Sequence, residues 1–381
     1  MPRAIRCNLP NHPYECSTRT VNEQFLLNPF AAPGRFASKH DNHRVGDAKR
    51  LKRDARIAER NADRLSKLIG QVKAWQSGQG PEPPVTIDSL PETVNNIVGT
   101  WLAKAIEYSR VEYYGFIQMS DHPHHLLAHH EGKIDKFFEY FNAQVARALN
   151  RFHGRRHQVW SRRYSAIPVL DEQADIERLI YFLTNPQKAD LVDKIERWPG
   201  LSSAQFHFAD DGEANEFLFF DRTAWDQAKK PKAIAKYLEV VRIKYAVPPG
   251  LAHLTEAERK ALLRQRLTER ETELRDKRQS EGKRVLGKEG LMQTDSKARP
   301  KKPKTGRMPL CICSDKELRI AFITARYCYE AIYREQTRVY REAERPGELE
   351  LPFGAYPPPK LIRYRYPPNP DCSTLPNLSV R

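Results

Sequence analysis

Five of the twelve histidines fall within nine residues: His122, His124, His125, His129 and His130. His122 and His124 are two apart, so on a strand both side chains leave the same face. Two imidazoles on one face can grip a divalent cation and leave its other positions to substrate oxygens. Surface or strand-filling histidines fit the same spacing. Tyr181 and Asn185 are four apart, which stacks them on one side of a helix. A phenol beside a metal-held phosphate can act as a nucleophile and give a covalent phosphotyrosine. With an ordinary pKa of about 10, roughly one phenol in a thousand is ionised at neutral pH, so a nearby cation or base must activate it. A half-buried helical tyrosine fits that spacing equally.

The segment RFHGRRHQVWSRRYS supplies a third set. Arg151, Arg155, Arg156, Arg162 and Arg163 are interleaved with His153, His157, Trp160 and Tyr164, without an acidic residue. Cations for phosphates and aromatic faces for unpaired bases suit single-stranded or hairpin DNA, although a generic basic loop has the same composition. Tyr164 is a rival nucleophile, because surrounding arginines favour a charged phenolate. It lacks a helix-spaced partner and ranks below Tyr181. His153 and His157, with His129 or His130, would make a zinc site, but Gly154 and the absence of nearby cysteines speak against it.

Elements must hold these groups in place. Residues 12–30 alternate loosely and predict an opening strand and turn. Residues 44–67 carry nine basic and four acidic residues around a thin apolar stripe of Leu51, Ala55, Ala58, Ala62 and Leu65, a solvated basic helix. The breaker-rich stretch 77–91 reads as a linker. NNIVGTWLAKAIEYSR predicts a helix, VEYYGFIQM a strand, SDHP a turn and HHLLAHH a returning strand, so residues 111–130 form a hairpin. Ile134, Phe137, Phe138, Phe141, Val145, Ala146 and Leu149 give the next helix a buried face. A helix with core positions Ile176, Leu179, Ile180 and Leu183 follows, with Asp175 as its N-cap, and Asn185-Pro186 ends or kinks it. Residues 259–307 hold 17 Lys+Arg against seven Asp+Glu, and the stretch near 280–307 reads as a disordered basic linker. A last helix over 315–343 and a Pro-rich tail complete the chain, and there is no internal repeat.

The whole sequence sets bounds on this reading. Its 381 residues predict two or three domains with ample core. No run approaches 18 apolar residues, so no membrane span is expected. MPRAIRCNLPNHPYECSTRT lacks the apolar core of a secretory signal, and the expected location is cytoplasmic. Six scattered cysteines read as free thiols, with Cys311-Ile-Cys313 a weak metal signal. The net charge of +16 favours a polyanion, nucleic acid before membrane, without naming any chemistry.

Taken in order along the chain, these segments resemble the REP-associated tyrosine transposases, a branch of the single-tyrosine HUH (IS200-like) transposases. YYGFIQMSDHPHHLL is similar to the family's His-hydrophobic-His strand. FFEYFNAQVARALNRF, QVWSRRYS, LIYFLTNPQKADLV and WPGLSS then follow in the family's sequence, covering roughly residues 10–30 and 92–205. KYAVPPGLAHLTEAE and LPFGAYP look like the C-terminal appendix of longer members. The resemblance implies an α+β fold with a small antiparallel ferredoxin-like sheet carrying helices, the HUH domain. Its first strand would lie in 1–30 and its body in 92–225. A basic helical insert and linker would occupy 31–91, and a mostly helical basic region 226–381.

The resemblance also implies roles. His122 and His124 become metal ligands with Asn185 as the third, Tyr181 becomes the nucleophile, and the cofactor is Mg2+ or Mn2+. The activity implied is single-strand DNA cleavage and strand transfer at hairpin-forming repeats, through a 5′-phosphotyrosine, by a monomer or homodimer. Where the family usually has Asn, a bulky hydrophobic and Leu, this chain has Asp121, Pro123 and His125. Pro123 lacks a ladder donor, so its strand must be an edge, a bulge or a strand start. Asp121 would add a carboxylate to the metal shell, which suits Mg2+ or Mn2+. The alternative is a DNA- or RNA-binding protein that keeps the fold without cleavage.

Overall fold

Residues 9–34, 47–208, 215–300, 308–342, 349–350 and 364–365 are described by a computed structural model. Cys7, Cys372, residues 301–307 and most of the Pro-rich tail lie outside them. Four short strands form one antiparallel sheet. β1 (Tyr14–Ser17) is separated from β2 (Glu112–Gln118) by the helices α1 (Ala48–Gln76) and α2 (Val94–Ser109). β2 turns directly into β3 (Pro123–Ala128), and α3 (Ile134–Phe152) leads to β4 (Ser165–Pro168). The strand order is β2-β3-β1-β4, with every neighbouring pair antiparallel. β3 is therefore internal, and Pro123 is tolerated because it is the strand's first residue.

The two faces of the sheet are used differently. Tyr14, Cys16, Tyr113, Phe116 and Leu127 pack under α2 and α3 in one core. His125 belongs to this face. It is fully buried, ringed by Phe116, Phe137, Phe138 and Phe141, with its Nδ1 2.7 Å from the Tyr113 hydroxyl. Burial pushes its pKa well below the usual histidine range, so it is a neutral core residue. On the opposite face, Ile117 and Leu126 share a core with Leu179 and Phe182 of α4 (Glu172–Leu183). The helix comes this close because position 115 is a glycine: a Cβ there would lie 2.5 Å from Phe182 and 2.7 Å from Leu179.

α4 starts one turn earlier than the sequence suggests. Asp171, not Asp175, caps it by accepting from the Ala174 N–H at 2.8 Å, and Asp175 is buried inside the first turn. Its end is as expected: Pro186 follows Thr184, and a separate single turn, α5 (Asn185–Lys188), begins. α1 runs nine residues past the predicted end, adding Leu68 and Val72 to its buried face; Asn61 rather than Ala62 completes the stripe, its amide donating to the Glu92 carbonyl.

Later segments close the sheet's exposed edges. Gln118 N–H donates to Leu201 and Ser203 N–H to Phe116 along β2, so the WPGLSS stretch covers that edge. Ile312 pairs with Val169 just beyond β4 and covers the other. Next in the chain come α6 (Ala204–Phe208) and the hairpin β5 (Glu216–Phe220) and β6 (Leu238–Arg242), with α7 (Arg222–Gln227) in its connection. α8 (Glu256–Ser280) is basic outside, yet buries Leu263 and Leu267 against the α4 side.

The stretch expected as a disordered linker is instead built in over 280–300. α9 (Gly287–Met292) buries Leu291, Thr294 accepts from the Asn28 amide, and Asp295 pairs with Arg50 of α1. Charge counting missed it because its anchors are one leucine, one aspartate and backbone carbonyls such as that of Thr294, which leave no pattern in composition. α10 (Lys316–Glu342) is the predicted last helix. No helix of the described residues is long and apolar enough to cross a membrane.

Candidate active site

His122 and His124 sit side by side, their rings 4.9 Å apart and set edge to face. Each is held from behind by a carboxylate. His122 Nδ1 is 2.7 Å from Asp121 Oδ1, and His124 Nδ1 is 2.9 Å from Glu15 Oε1. Glu15 lies opposite Leu126 in the β1–β3 register, so it meets His124 as a diagonal cross-strand neighbour. Each carboxylate in turn meets an arginine: Arg178 of α4 donates its Nε–H to Glu15 Oε2, and Arg19 approaches Asp121 at 3.9 Å. The result is two parallel series, Arg19–Asp121–His122 and Arg178–Glu15–His124.

The electrostatics favour one protonation pattern. Burial alone would raise the Glu15 carboxyl, but the His124 hydrogen bond and the charges of His124 and Arg178 outweigh it and hold it below the usual range. Asp121 behaves likewise: burial is outweighed by His122 and Arg19. Burial lowers His124, against the pull of Glu15. An ionised carboxylate can only accept, so each imidazole donates from Nδ1, and in the neutral ring Nε2 then carries the lone pair. Carboxylate-backed imidazoles of this kind are a common design for metal ligands. Asp121 thus meets His122 through Oδ1 and faces Arg19 through Oδ2.

Tyr181 is tied to this pair through Arg178. The Arg178 guanidinium lies 4.2 Å from the Tyr181 ring centroid while holding Glu15. Lys188 of α5 donates to the Tyr181 hydroxyl at 2.9 Å. Asn185, half-buried, opens α5 one turn after Tyr181. Among the described residues no three His, Cys, Asp or Glu side chains converge on a metal site. A cation here would draw on the two imidazoles, whose Nδ1 atoms are each held by a carboxylate.

The basic segment divides. Arg151, Arg156, Arg162 and Arg163 are exposed and Arg155 is half-buried. Trp160 differs from the expectation: it is buried in the α2–α3 core with its indole N–H on the Asn142 carbonyl, so its ring is not offered to a base. Tyr164 is buried and stacked 4.0 Å from Phe138, which removes it as a rival nucleophile. His153 is committed to the Leu26 carbonyl at 2.9 Å, and burial pushes it down to about 4.

Glu15, Arg19, Arg178 and Lys188 also line the site, and of these Lys188 alone falls in a motif of the resemblance, LIYFLTNPQKADLV. The sequence signals are Arg178, three residues before Tyr181 on the same helix, and Lys188, seven after it on the turn that follows.

No family model matches the chain, and no curated protein is similar to it. Among solved structures, the chain is similar to a REP-associated tyrosine transposase bound to a REP hairpin, at 10% identity and a TM-score of 0.32, over 54% of this chain and 85% of that one.

Proposed function

We propose that the protein is a metal-dependent single-strand DNA endonuclease and strand transferase that uses Tyr181 as its nucleophile. The observation that carries the reading is the side-by-side His122 and His124, each with Nδ1 held by a carboxylate, and the link from one of them through Glu15 and Arg178 to Tyr181. The strand order β2-β3-β1-β4, with α2 and α3 packed on one face, supports a ferredoxin-like, HUH-type domain.

In this reading Tyr181 Oη attacks a backbone phosphorus. The Oη–P bond forms, the P–O3′ bond breaks, and its electron pair leaves on O3′, which takes up a proton as a free 3′ hydroxyl. The phenolic proton passes to solvent. Attack by a 3′ hydroxyl reverses the step and rejoins a strand, so the phosphodiester energy is conserved without a nucleotide cofactor. Mg2+ or Mn2+, held by His122, His124 and Asn185, would supply polarisation of the scissile phosphate. Arg19 and Arg178 keep the two carboxylates charged, and those fix the imidazole orientation. Exposed Arg151 at the end of α3 and Arg156, Arg162 and Arg163 on the segment between α3 and β4 would hold the strand's phosphates, with hairpin-forming repeats as the substrate class that the sequence resemblance implies.

The test uses single-stranded hairpins labelled at the 5′ or the 3′ end, incubated with Mn2+ or Mg2+ and resolved on a denaturing protein gel. The expected result is a metal-dependent adduct with the strand 3′ of the cut, lost in Tyr181→Phe while hairpin binding stays within about twofold. Comparable adduct from Tyr181→Phe would remove Tyr181 from the role. Binding without adduct across several hairpins would favour the binding-only alternative.

A further inference from the structure

Two cations converge on Tyr181: Arg178, outside any motif that carries the resemblance, and Lys188, within LIYFLTNPQKADLV but given no role by it. Arg178 lies one turn before Tyr181 on α4, its guanidinium 4.2 Å from the ring centroid. Lys188 lies 4.2 Å from the same centroid and donates to the hydroxyl at 2.9 Å. Seven residues of straight helix is a rise of about 10.5 Å, so the position of Lys188 depends on how the chain leaves α4. Thr184 ends the helix by returning its hydroxyl to the Ile180 carbonyl at 2.8 Å, and Pro186 starts a new turn whose Lys188 N–H bonds back to Thr184.

That turn is clamped from outside by α8. The buried Arg278 donates to the Gln187 carbonyl at 2.8 Å and to Asp190 at 2.9 Å, while Glu271 accepts from the Gln187 amide at 2.6 Å. Lys188 itself is exposed, but the backbone that carries it is pinned on both sides.

We infer that Arg178 and Lys188 form a cationic clamp on Tyr181, an inference that rests on the nucleophile assignment above. Lys188 is the catalytic member: it touches the attacking oxygen and stabilises the negative charge that grows there as the phenol loses its proton to solvent. Arg178 is the positioning member. Its charge faces the ring while its Nε–H holds Glu15, so the ring that attacks and the imidazole of His124 are referred to one guanidinium. α8 then acquires a role in the chemistry, because it fixes the turn from which Lys188 reaches.

Single-turnover adduct formation at saturating hairpin and Mn2+ tests this in wild type, Lys188→Met, Lys188→Arg and Arg178→Gln, with hairpin affinity measured in parallel. Lys188→Met should slow the saturated rate at least tenfold with affinity within about twofold, and Lys188→Arg should recover most of it. Arg178→Gln should also slow the rate. The double variant should fall short of the product of the two losses, since both act on one ring. A wild-type rate in Lys188→Met overturns the clamp. So does weakened hairpin binding with an unchanged saturated rate, which would make Lys188 a phosphate ligand. A Lys188→Arg protein as slow as Lys188→Met overturns it as well, because charge would not be what matters. Absence of adduct in wild type overturns the nucleophile assignment itself, and this inference with it.

Discussion

Glu15 is the residue through which the two halves of the site meet. One oxygen orients His124 and the other holds Arg178, which faces Tyr181. Glu15→Gln keeps the size and an acceptor for His124 Nδ1 but removes the charge that Arg178 neutralises. If His124 is a metal ligand, removing this support should raise the Mn2+ concentration for half-maximal adduct about tenfold or more. A Mn2+ titration of adduct formation measures it, and an unchanged midpoint would show that the carboxylate does not support the ligand. The pairing of His122 with His124 was legible because strand alternation fixes two-residue neighbours on one face. Their carboxylates were not equally legible: Asp121 is adjacent to His122, whereas Glu15 is 109 positions from His124 and 163 from Arg178. The β1–β3 register brings Glu15 to His124, and the packing of α4 on the sheet brings Arg178 to Glu15. Trp160 shows the converse, since an aromatic within a basic run has the composition of a stacking platform whether its ring points outward or into the core.

At the level of elements, α4 carries a titrating group in its packed face. Burial and the neighbouring Asp171 push Asp175 up to about 8, against a backbone hydrogen bond from Gly250. An unfolded aspartate ionises near 4. Between about pH 4 and pH 8 the folded chain keeps a proton that the unfolded chain has released, so this residue makes stability fall as pH rises through that window and level off above it. Asp175→Asn fills the same space without titrating. Its melting temperature should therefore exceed that of wild type at pH 8 and fall less between pH 5 and pH 8; parallel slopes in the two proteins would exclude Asp175 as the cause. Periodicity located α4 and its core face, but two aspartates stand within five residues at its start. Spacing alone does not decide which one caps, and the choice fell to the docking of residues 248–252 and 311–314 around that turn.

For the whole molecule, the surplus of sixteen positive charges was plain in the composition, but its partition was not. Arg50 and Arg278 are spent inside the fold, on Asp295 and Asp190, and join the later segments to the sheet. Lys52, Arg53, Arg56, Arg60, Arg64 and Lys67 stay exposed along α1, Arg151 at the end of α3, and Arg156, Arg162 and Arg163 beyond it. If about six of these meet phosphates, the logarithm of hairpin affinity should fall with the logarithm of salt at a slope of about −4 to −5, roughly a thousandfold between 50 and 200 mM. Changing Arg53, Arg56 and Arg60 together to Gln separates the α1 contribution from the rest. If α1 lies on the DNA, the slope should flatten by about one for each phosphate left without its arginine. The saturated adduct rate at low salt should stay unchanged, because none of the three touches Tyr181 or the histidines. An unaltered slope would place the DNA on the α3–β4 side alone and leave α1 as a structural brace, its Arg50 bound to Asp295 and its buried face to two cores.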